Sequence, residues 1–564
     1  MYVLGLSVFV RGSSACLLKD GRVLSAAHEE RFSRKKGDCG FPYGAIEFCL
    51  DSAGILINDV DCVGFCEGAA SCCSLRGDSG GWVALGEKEL ICSDLPASGQ
   101  AVGVLRDELK YKGRIERAGH YAAHGFGSYF GSLFDDAALV VVDDAVDRYC
   151  TVVGCAKGGD VSFLKAIRSP NSLAALYRAV CDYLGFPDAG SEYKVMGLSA
   201  YGRDVFCDGF SRVVEVSGDG YVIDMSFFDF VDGRFVVSNK FVELFGARRK
   251  VGGRLVQRHK DIAASLQRVL EDAFLSVLEY VRAVSGCDNL CMSGEVALNC
   301  LASGRVFCKA GFKSVYILPA PDAGGLAVGA AFYVYYSVFG QRKRVGFGSP
   351  FLGPSFSDEY IKDFLEREGV KYAVFRDDGE MVSAVARLIY EGNVVGWFQG
   401  RMEWGARALG ARSILASPCG PGVRDVLNLR VKHREGFRPF APVVCEDDAR
   451  DFFVLDDALF SLYEFMLAVC MVRVDKRKQI PGAVHADGTA RVQVLRRSWN
   501  PLFYELVKEF GKLSGVPVLI NTSFNDAGEP IVCRPEDAYR CMMRTGVGYV
   551  VIGRFLVKKE ENLW

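Results

Sequence analysis

The stretch that decides the fold is residues 136–167, DAALVVVDDAVDRYCTVVGCAKGGDVSFLKAI. Ala137–Val142 is a very apolar run that predicts a strand, and it stops at two carboxylates, Asp143 and Asp144. A second strand is expected at Tyr149–Ala156, a turn at Gly158-Gly159 and a third strand at Val161–Ile167. The first residues of the chain repeat the design. Tyr2–Val8 is apolar, Arg11-Gly12-Ser13-Ser14 is a small polar turn, and Ala15–Leu18 and Arg22–Ala27 flank the hairpin turn Asp20-Gly21. The two β-meanders lie about 135 residues apart, a weak internal duplication. Two unrelated sheets would give the same pattern.

Two such halves resemble the actin-like ATPase architecture, in which each half turns a polar strand end toward a nucleotide. Helix and strand alternate further on. Asp261–Val284 has helical period and length, Asn289–Met292 and Val315–Leu318 are short strands, and 340–358 (GQRKRVGFGSPFLGPSFSD) is a Gly-, Pro- and Ser-rich boundary. A second α/β region follows, with apolar strands at Val394–Phe398 and Val516–Ile520.

Composition narrows the function classes. Of 564 residues, half are hydrophobic and 24% are charged, which excludes large-scale disorder. The 67 Lys and Arg against 69 Asp and Glu leave a net charge of −2, so no global field attracts nucleic acid or an anionic membrane. The 21 cysteines include the adjacent Cys72-Cys73 but no paired CxxC array. The N-terminus lacks the basic region of a signal peptide, so a cytoplasmic, reducing compartment is expected. Residues 323–340 carry no charge over 18 positions. Their glycines and tyrosines favour a buried helix over a membrane span.

Three groups of residues carry candidate chemistry. His120 and His124, in HYAAH, stand one helical turn apart and can share a metal ion. No glutamate follows His120, so the zinc-protease motif is absent. With six histidines in the chain the spacing can also arise by chance. Asp143 and Asp322, each at a strand end where ligands bind in α/β sheets, would complete a divalent-metal site. Ser293–Asn299 is a strand-to-helix turn whose amides suit a nucleotide, or simply a tight turn. After residue 400, Arg401, Arg407, Arg412, Arg430, Lys432, Arg434 and Arg438 interleave with glycines and aromatics, and Arg491 and Asn521–Asn525 add polar turns. Guanidinium groups set this way look like phosphate clamps, with a solvated basic face as the alternative.

These residues fall in motifs that resemble the O-carbamoyltransferases of antibiotic and nodulation-factor biosynthesis. The motifs are EERFSRKK (29–36), HYAAH (120–124), EYKVMGLSAYG (192–202), GEVALN (294–299), GRMEWGARALGARSIL (400–415), KHREGFRPFAPV (432–443), DGTARVQ (487–493) and NTSFN (521–525). The resemblance runs from residue 1 to about 557. It implies an α/β protein with an actin-like (Kae1-like) duplicated domain at 1–345, a linker at 346–360 and a YrdC-like domain at 361–564. It implies that carbamoyl phosphate and ATP give carbamoyl-AMP in the second domain, and that an acceptor hydroxyl takes the carbamoyl group in the first. Arg407, Arg412, Lys432, Arg438 and Arg491 are then the anion clamp, and Asn521, Ser523 and Asn525 neutral partners of nucleotide or carbamoyl groups. His120, His124, Asp143 and Asp322 would hold a divalent ion, Fe(II), with Mg(II) accompanying ATP. Gly294 and Asn299 would face the adenosine, Glu192 and Lys194 would line the nucleotide site, and Lys36 would stand at the active cleft.

The expected partners are carbamoyl phosphate and a hydroxyl-bearing acceptor, with a homodimer as a further option and no membrane or bulk nucleic acid. The alternatives are a threonylcarbamoyl-type N-transferase acting on RNA and a non-catalytic nucleotide-binding protein. The chain departs from the family at Val10, Arg11 and Gly12, where His-His-Asp is usual. That change removes a candidate general base and offers Arg11 to an anionic acceptor. Glu295 replaces a glycine, and Ala406 and Ala411 replace a proline and an asparagine.

Overall fold

The computed structural model describes residues 1–68, 82–85, 90, 99–146, 148–188, 190–231, 234–420 and 422–563. Cys72 and Cys73 lie outside the described residues. The fold is mixed α/β, and the chain divides into two compact units. The first holds Met1–Val10, Leu18–Arg22 and Leu56–Phe347, and the second Arg11–Leu17, Val23–Ile55 and Gly348–Trp564.

Both meanders form. The first gives strands Tyr2–Val8, Ser14–Lys19 and Arg22–His28, and the second gives Asp136–Val146, Tyr149–Lys157 and Asp160–Arg168. In the first unit Tyr2–Val8 pairs in parallel with Cys62–Glu67, which pairs in parallel with Arg114–Arg117. Asp136–Val146 likewise pairs in parallel with Asn289–Ser293, which pairs in parallel with Ser314–Ile317. Each set of parallel strands is followed by a buried helix, His120–Gly131 in one case and Leu326–Phe332 in the other. The duplication seen faintly in the sequence is therefore present in the pairing.

The two helices meet with almost nothing between them. A Cβ on Gly329 would stand 1.8 Å from the Ala123 carbonyl oxygen, and one on Gly5 would stand 2.0 Å from that of Ala327. Small residues at these points let helix pack on helix and helix on strand. The uncharged run 323–340 is thus a buried helical segment, and no helix among the described residues is long and apolar enough to cross a membrane. The expected long helix extends over Gln257–Ser285 and ends at Gly286, whose φ of 65° suits a left-handed cap. All the described cysteines are free and most are buried.

The second unit is built on an eight-stranded sheet. Its order is Ala373–Val374, Phe555–Lys558, Tyr549–Ile552, Val395–Phe398, Arg412–Ala416, Val518–Ser523, Ala441–Cys445 and Gln493–Leu495. One face carries Ile361, Phe364, Ile414, Ile520 and Phe524, and the other Trp397, Leu415, Phe503 and Leu519. The longest segment of the unit runs from Gly348, and the first helix of that segment, Asp358–Arg367, is capped by Ser357, whose hydroxyl oxygen accepts the Tyr360 N–H at 3.2 Å.

A single cut at 346–360 does not describe the division. Residues Val23–Ile55, expected in the first domain, belong to the second unit. Their contacts explain why. Arg31 donates to the Gly405 carbonyl, Arg34 donates to those of Pro530 and Ile531, and Arg401 donates to that of Leu24. His28 stacks on Trp404, and Phe32 packs against Met402, Ala408, Ile531 and Cys533.

Candidate functional site

In the first unit three side chains converge. The helix His120–Gly131 starts directly after Gly119, and all twelve of its residues are buried. His120 and His124 face the same way, one turn apart, with ring centroids 4.7 Å from each other. Their Nε2 atoms lie 2.9 and 3.0 Å from one atom, Asp143 Oδ2. The other oxygen, Oδ1, accepts the N–H groups of Glu295 at 3.1 Å and Asp144 at 2.9 Å. Asp143 is thereby fixed from both sides.

One carboxylate oxygen thus meets the Nε2 atoms of both imidazoles. Burial works against a charged His120, but the bond to Asp143 and the neighbouring Cys66 lift its pKa to about 10. Burial, together with a charged His120, pushes His124 below its ordinary value. Asp143 is opposed by burial too, yet its two histidine bonds hold it well below the usual carboxylate range. A divalent cation at this carboxylate would carry the same sign of charge as a protonated His120. His120, His124 and Asp143 are the one group of three or more such donors, all within 4.8 Å of one another, found among the described residues. Two imidazoles and a carboxylate fit a borderline cation such as Fe(II) or Zn(II).

Asp322 does not join them. Its side chain accepts the Gly324 N–H at 3.2 Å and caps the short turn Ala323–Gly325. A short acidic side chain at a turn captures the nearest amide. The Gly294 turn also differs from expectation. Its first two amides face inward: the Gly294 N–H donates to the Pro321 carbonyl at 2.8 Å, and the Glu295 N–H donates to Asp143. Gly294 has φ 94°, and a Cβ there would stand 2.2 Å from the Val142 oxygen, so only glycine fits. Asn299 is also engaged, its amide paired both ways with Gln267 and its oxygen accepting the Ala302 N–H.

Beside the trio stands an acidic cluster that the sequence did not disclose. Arg178 donates to Asp144, Glu192 and Glu295, drawn from a strand, a helix start and a turn. Burial raises the Glu295 pKa to about 8, against the pull of Arg178. The signal was a lone arginine in the apolar helix LAALYRAVCDY, Leu173–Tyr183. Glu192 thus takes part in an ion pair next to the trio. Lys194 lies apart from it, 3.5 Å from Asp188 and over the Phe186 ring.

In the second unit the expected clamp divides. Arg412 is completely buried. Its guanidinium donates to the carbonyls of Gln399, Gly400, Ala411, Pro354 and Cys533 and lies 3.6 Å over the Phe398 ring. Burial lowers its pKa to about 10. Lys432 is buried as well, and its ammonium donates to the Ser523 carbonyl (2.8 Å), the Asn525 carbonyl (2.7 Å) and Asn525 Oδ1 (2.6 Å). Burial, then Arg434 and Arg438, push its pKa well down. Both cations stabilise the local backbone, and Ser523 and Asn525 face Lys432. Asn521 is buried, with its amide donating to Ala408 and Gln493.

Arg407 and Arg491 are half-buried, and Arg438 lies 3.5 Å from Glu435. These three keep access to solvent. Lys36 is exposed and belongs to this second unit, not to the unit that holds the histidines.

Comparison with known proteins gives matches over both units. Residues 98–332 match the family described as carbamoyltransferase N-terminus, and residues 386–559 match carbamoyltransferase C-terminus. The uncharacterized protein sll1178 of Synechocystis sp. is 36% identical, over 100% of this chain and 97% of its own length. Nodulation protein NolNO of Sinorhizobium fredii is 33% identical over 98% of this chain and 80% of its own length. Among solved structures, component A of (R)-2-hydroxyglutaryl-CoA dehydratase from Acidaminococcus fermentans aligns at TM-score 0.32 and 13% identity, over 60% of this chain and 99% of its own. At that score the likeness adds nothing to the topology described above.

Proposed function

The chain belongs to the carbamoyltransferase family, and from that premise we propose that it is an ATP-dependent O-carbamoyltransferase working in two steps. In the second unit, water cleaves carbamoyl phosphate to carbamate and phosphate, and a carbamate oxygen attacks the α-phosphorus of ATP to give carbamoyl-AMP as pyrophosphate leaves. In the first unit, an acceptor hydroxyl oxygen attacks the carbamoyl carbon and gives up its proton to water, the bond from that carbon to the phosphate oxygen breaks, and AMP leaves.

The observation that carries the proposal is the buried trio of His120, His124 and Asp143 in the unit assigned to transfer. A bound divalent cation there supplies positive charge to the phosphate of the departing AMP. The chain's own residues provide the rest. Asp143, fixed by the Glu295 and Asp144 amides, holds both imidazoles in one orientation. The repeated strand pairing around it supports an actin-like first unit.

Bringing two polyanions together needs preorganised positive charge. Arg407, Arg438 and Arg491 serve that need in the second unit, on the frame that Arg412 and Lys432 hold in place. Fe(II) at the trio, Mg(II) with ATP, a YrdC-like second unit and a cytoplasmic setting belong to the same proposal.

The test mixes the protein with carbon-labelled carbamoyl phosphate, ATP and Mn(II) or Fe(II), and screens hydroxyl compounds by mass spectrometry. The expected result is AMP that accumulates together with one carbamoylated alcohol. ATP left intact under every condition would reject the proposal.

A further inference from the structure

Residues 244–260, LFGARRKVGGRLVQRHK, hold six Lys and Arg and no Asp or Glu, in a chain whose net charge is −2. They lie in the first unit and run from the helix Asn239–Phe245 into the helix Gln257–Ser285. Four of the six cations are engaged. Arg258 donates to the carbonyls of Phe245 and Ala247, Arg248 donates to that of Val237, and Lys260 lies 5.9 Å from the centre of the Tyr201 ring. Arg249 donates twice to the Gly253 carbonyl, from Nε at 2.9 Å and Nη2 at 2.6 Å, and from Nη1 to the carbonyls of Leu184 at 2.8 Å and Gly185 at 3.2 Å.

These bonds fix a tight turn. The Gly253 N–H donates to the Lys250 carbonyl at 2.9 Å, and Gly252 takes the positive φ, 72°, that the third residue of such a turn requires. Lys250 opens the turn and Arg254 follows it, both exposed. Their side chains form no hydrogen bond or ion pair among the described residues. On the neighbouring segment Asp182 faces Arg248 at 3.9 Å and Asp188 faces Lys194 at 3.5 Å. The helix that begins at Gln257 has no acidic residue in its first turn, so its N-terminal field adds to the two cations.

The turn is tied to the trio by contacts inside one unit. Asp143 accepts the Glu295 N–H at 3.1 Å, Glu295 pairs with Arg178 at 2.7 Å, and Arg178 pairs at 3.0 Å with Glu192, the first residue of the helix Glu192–Ser199. Lys194 of that helix lies 5.6 Å from the centre of the Phe186 ring, and the Arg249 guanidinium lies 4.8 Å from the same ring.

We propose that Lys250 and Arg254 form an acceptor-recognition site, binding an anionic group, phosphate or carboxylate, on the small hydroxyl compound that takes the carbamoyl group; this rests on the function proposed above. An ammonium and a guanidinium without a counter-charge, carried on a fixed turn, match one such group. A nucleic acid needs a longer track of cations, and a net charge of −2 adds no general attraction for one.

The test runs the full chain with carbamoyl phosphate, ATP and Mn(II) against alcohols in matched sets, neutral, phosphorylated and carboxylated, such as glycerol, glycerol 3-phosphate and glycerate, with bulk RNA as a further arm. The carbamoylated compound is expected to be a phosphorylated or carboxylated member, and the lower KM of the two names the group. Lys250→Ala combined with Arg254→Ala is expected to raise that KM about tenfold or more with kcat within about twofold, and Lys250→Arg combined with Arg254→Lys to restore it. A neutral member that serves as well, RNA carbamoylated in preference, or a KM that the double variant leaves unchanged overturns this inference and leaves carbamoyl transfer standing. A kcat that falls while KM holds overturns it too, since the turn would then be structural, as does AMP released with no compound carbamoylated. ATP left intact by the wild type overturns both this site and the proposed function.

Discussion

The Arg412 guanidinium has five backbone carbonyls within 3.0–3.4 Å and an aromatic face against it. Removing it would strand several buried acceptors at once, each costing about 1–3 kcal/mol. Arg412→Met is therefore expected to lower the unfolding free energy of the second unit by about 3–5 kcal/mol, read from a urea midpoint. A midpoint that holds while ATP affinity falls would return Arg412 to the clamp. Both roles place arginine among glycines and aromatics, so the motif GRMEWGARALGARSIL reads as a clamp whichever is true. Burial separates them, and burial depends on what packs against the motif from residues 354 and 533. Lys432, buried against Ser523 and Asn525, poses the same question. His120 and His124 were legible for the opposite reason: their geometry is local, set by helical spacing. The Arg178 cluster draws on residues 144, 192 and 295, so the lone arginine in its apolar helix marks the site but not its partners.

The helix His120–Gly131 carries the trio's two histidines, and its position is set by backbone contact with Leu326–Phe332. Gly329 is the point of closest approach, and its neighbour across the interface, Ala123, precedes His124. Gly329→Ala must push the helices apart. The expected loss is about 1–3 kcal/mol of stability, with weaker Mn(II) binding, because moving Ala123 moves both imidazoles relative to Asp143. Thermal melts paired with Mn(II) calorimetry check this. Stability that falls while Mn(II) affinity holds would mean the histidine pair is positioned by something other than this packing. Strand periodicity in the sequence located these elements well. At Asp322 the strand-end pattern points to a ligand, while one of its oxygens accepts the Gly324 N–H in its own turn.

Each of the two units carries its own chemical equipment, a buried imidazole–carboxylate trio in one and partly exposed arginines in the other. The chain does not divide at one point, because Val23–Ile55 packs with residues 348–564. A linear reading cannot see this, since composition marks the boundary near 348 but not a segment that crosses back. If the trio serves transfer alone, damage to it should leave the other half-reaction running. His120→Ala removes one of three donors and is expected to weaken Mn(II) binding at least about tenfold, the scale on which even supporting partners of a metal site act. Carbamoyl-AMP formation, followed by exchange of labelled pyrophosphate into ATP in the presence of carbamoyl phosphate, should stay within about twofold of wild type, while carbamoylated acceptor falls about a hundredfold or more. Exchange that collapses together with transfer would show that the trio is needed for adenylation. Exchange and transfer both unchanged, with Mn(II) lost, would mean that the cation has no part in the reaction.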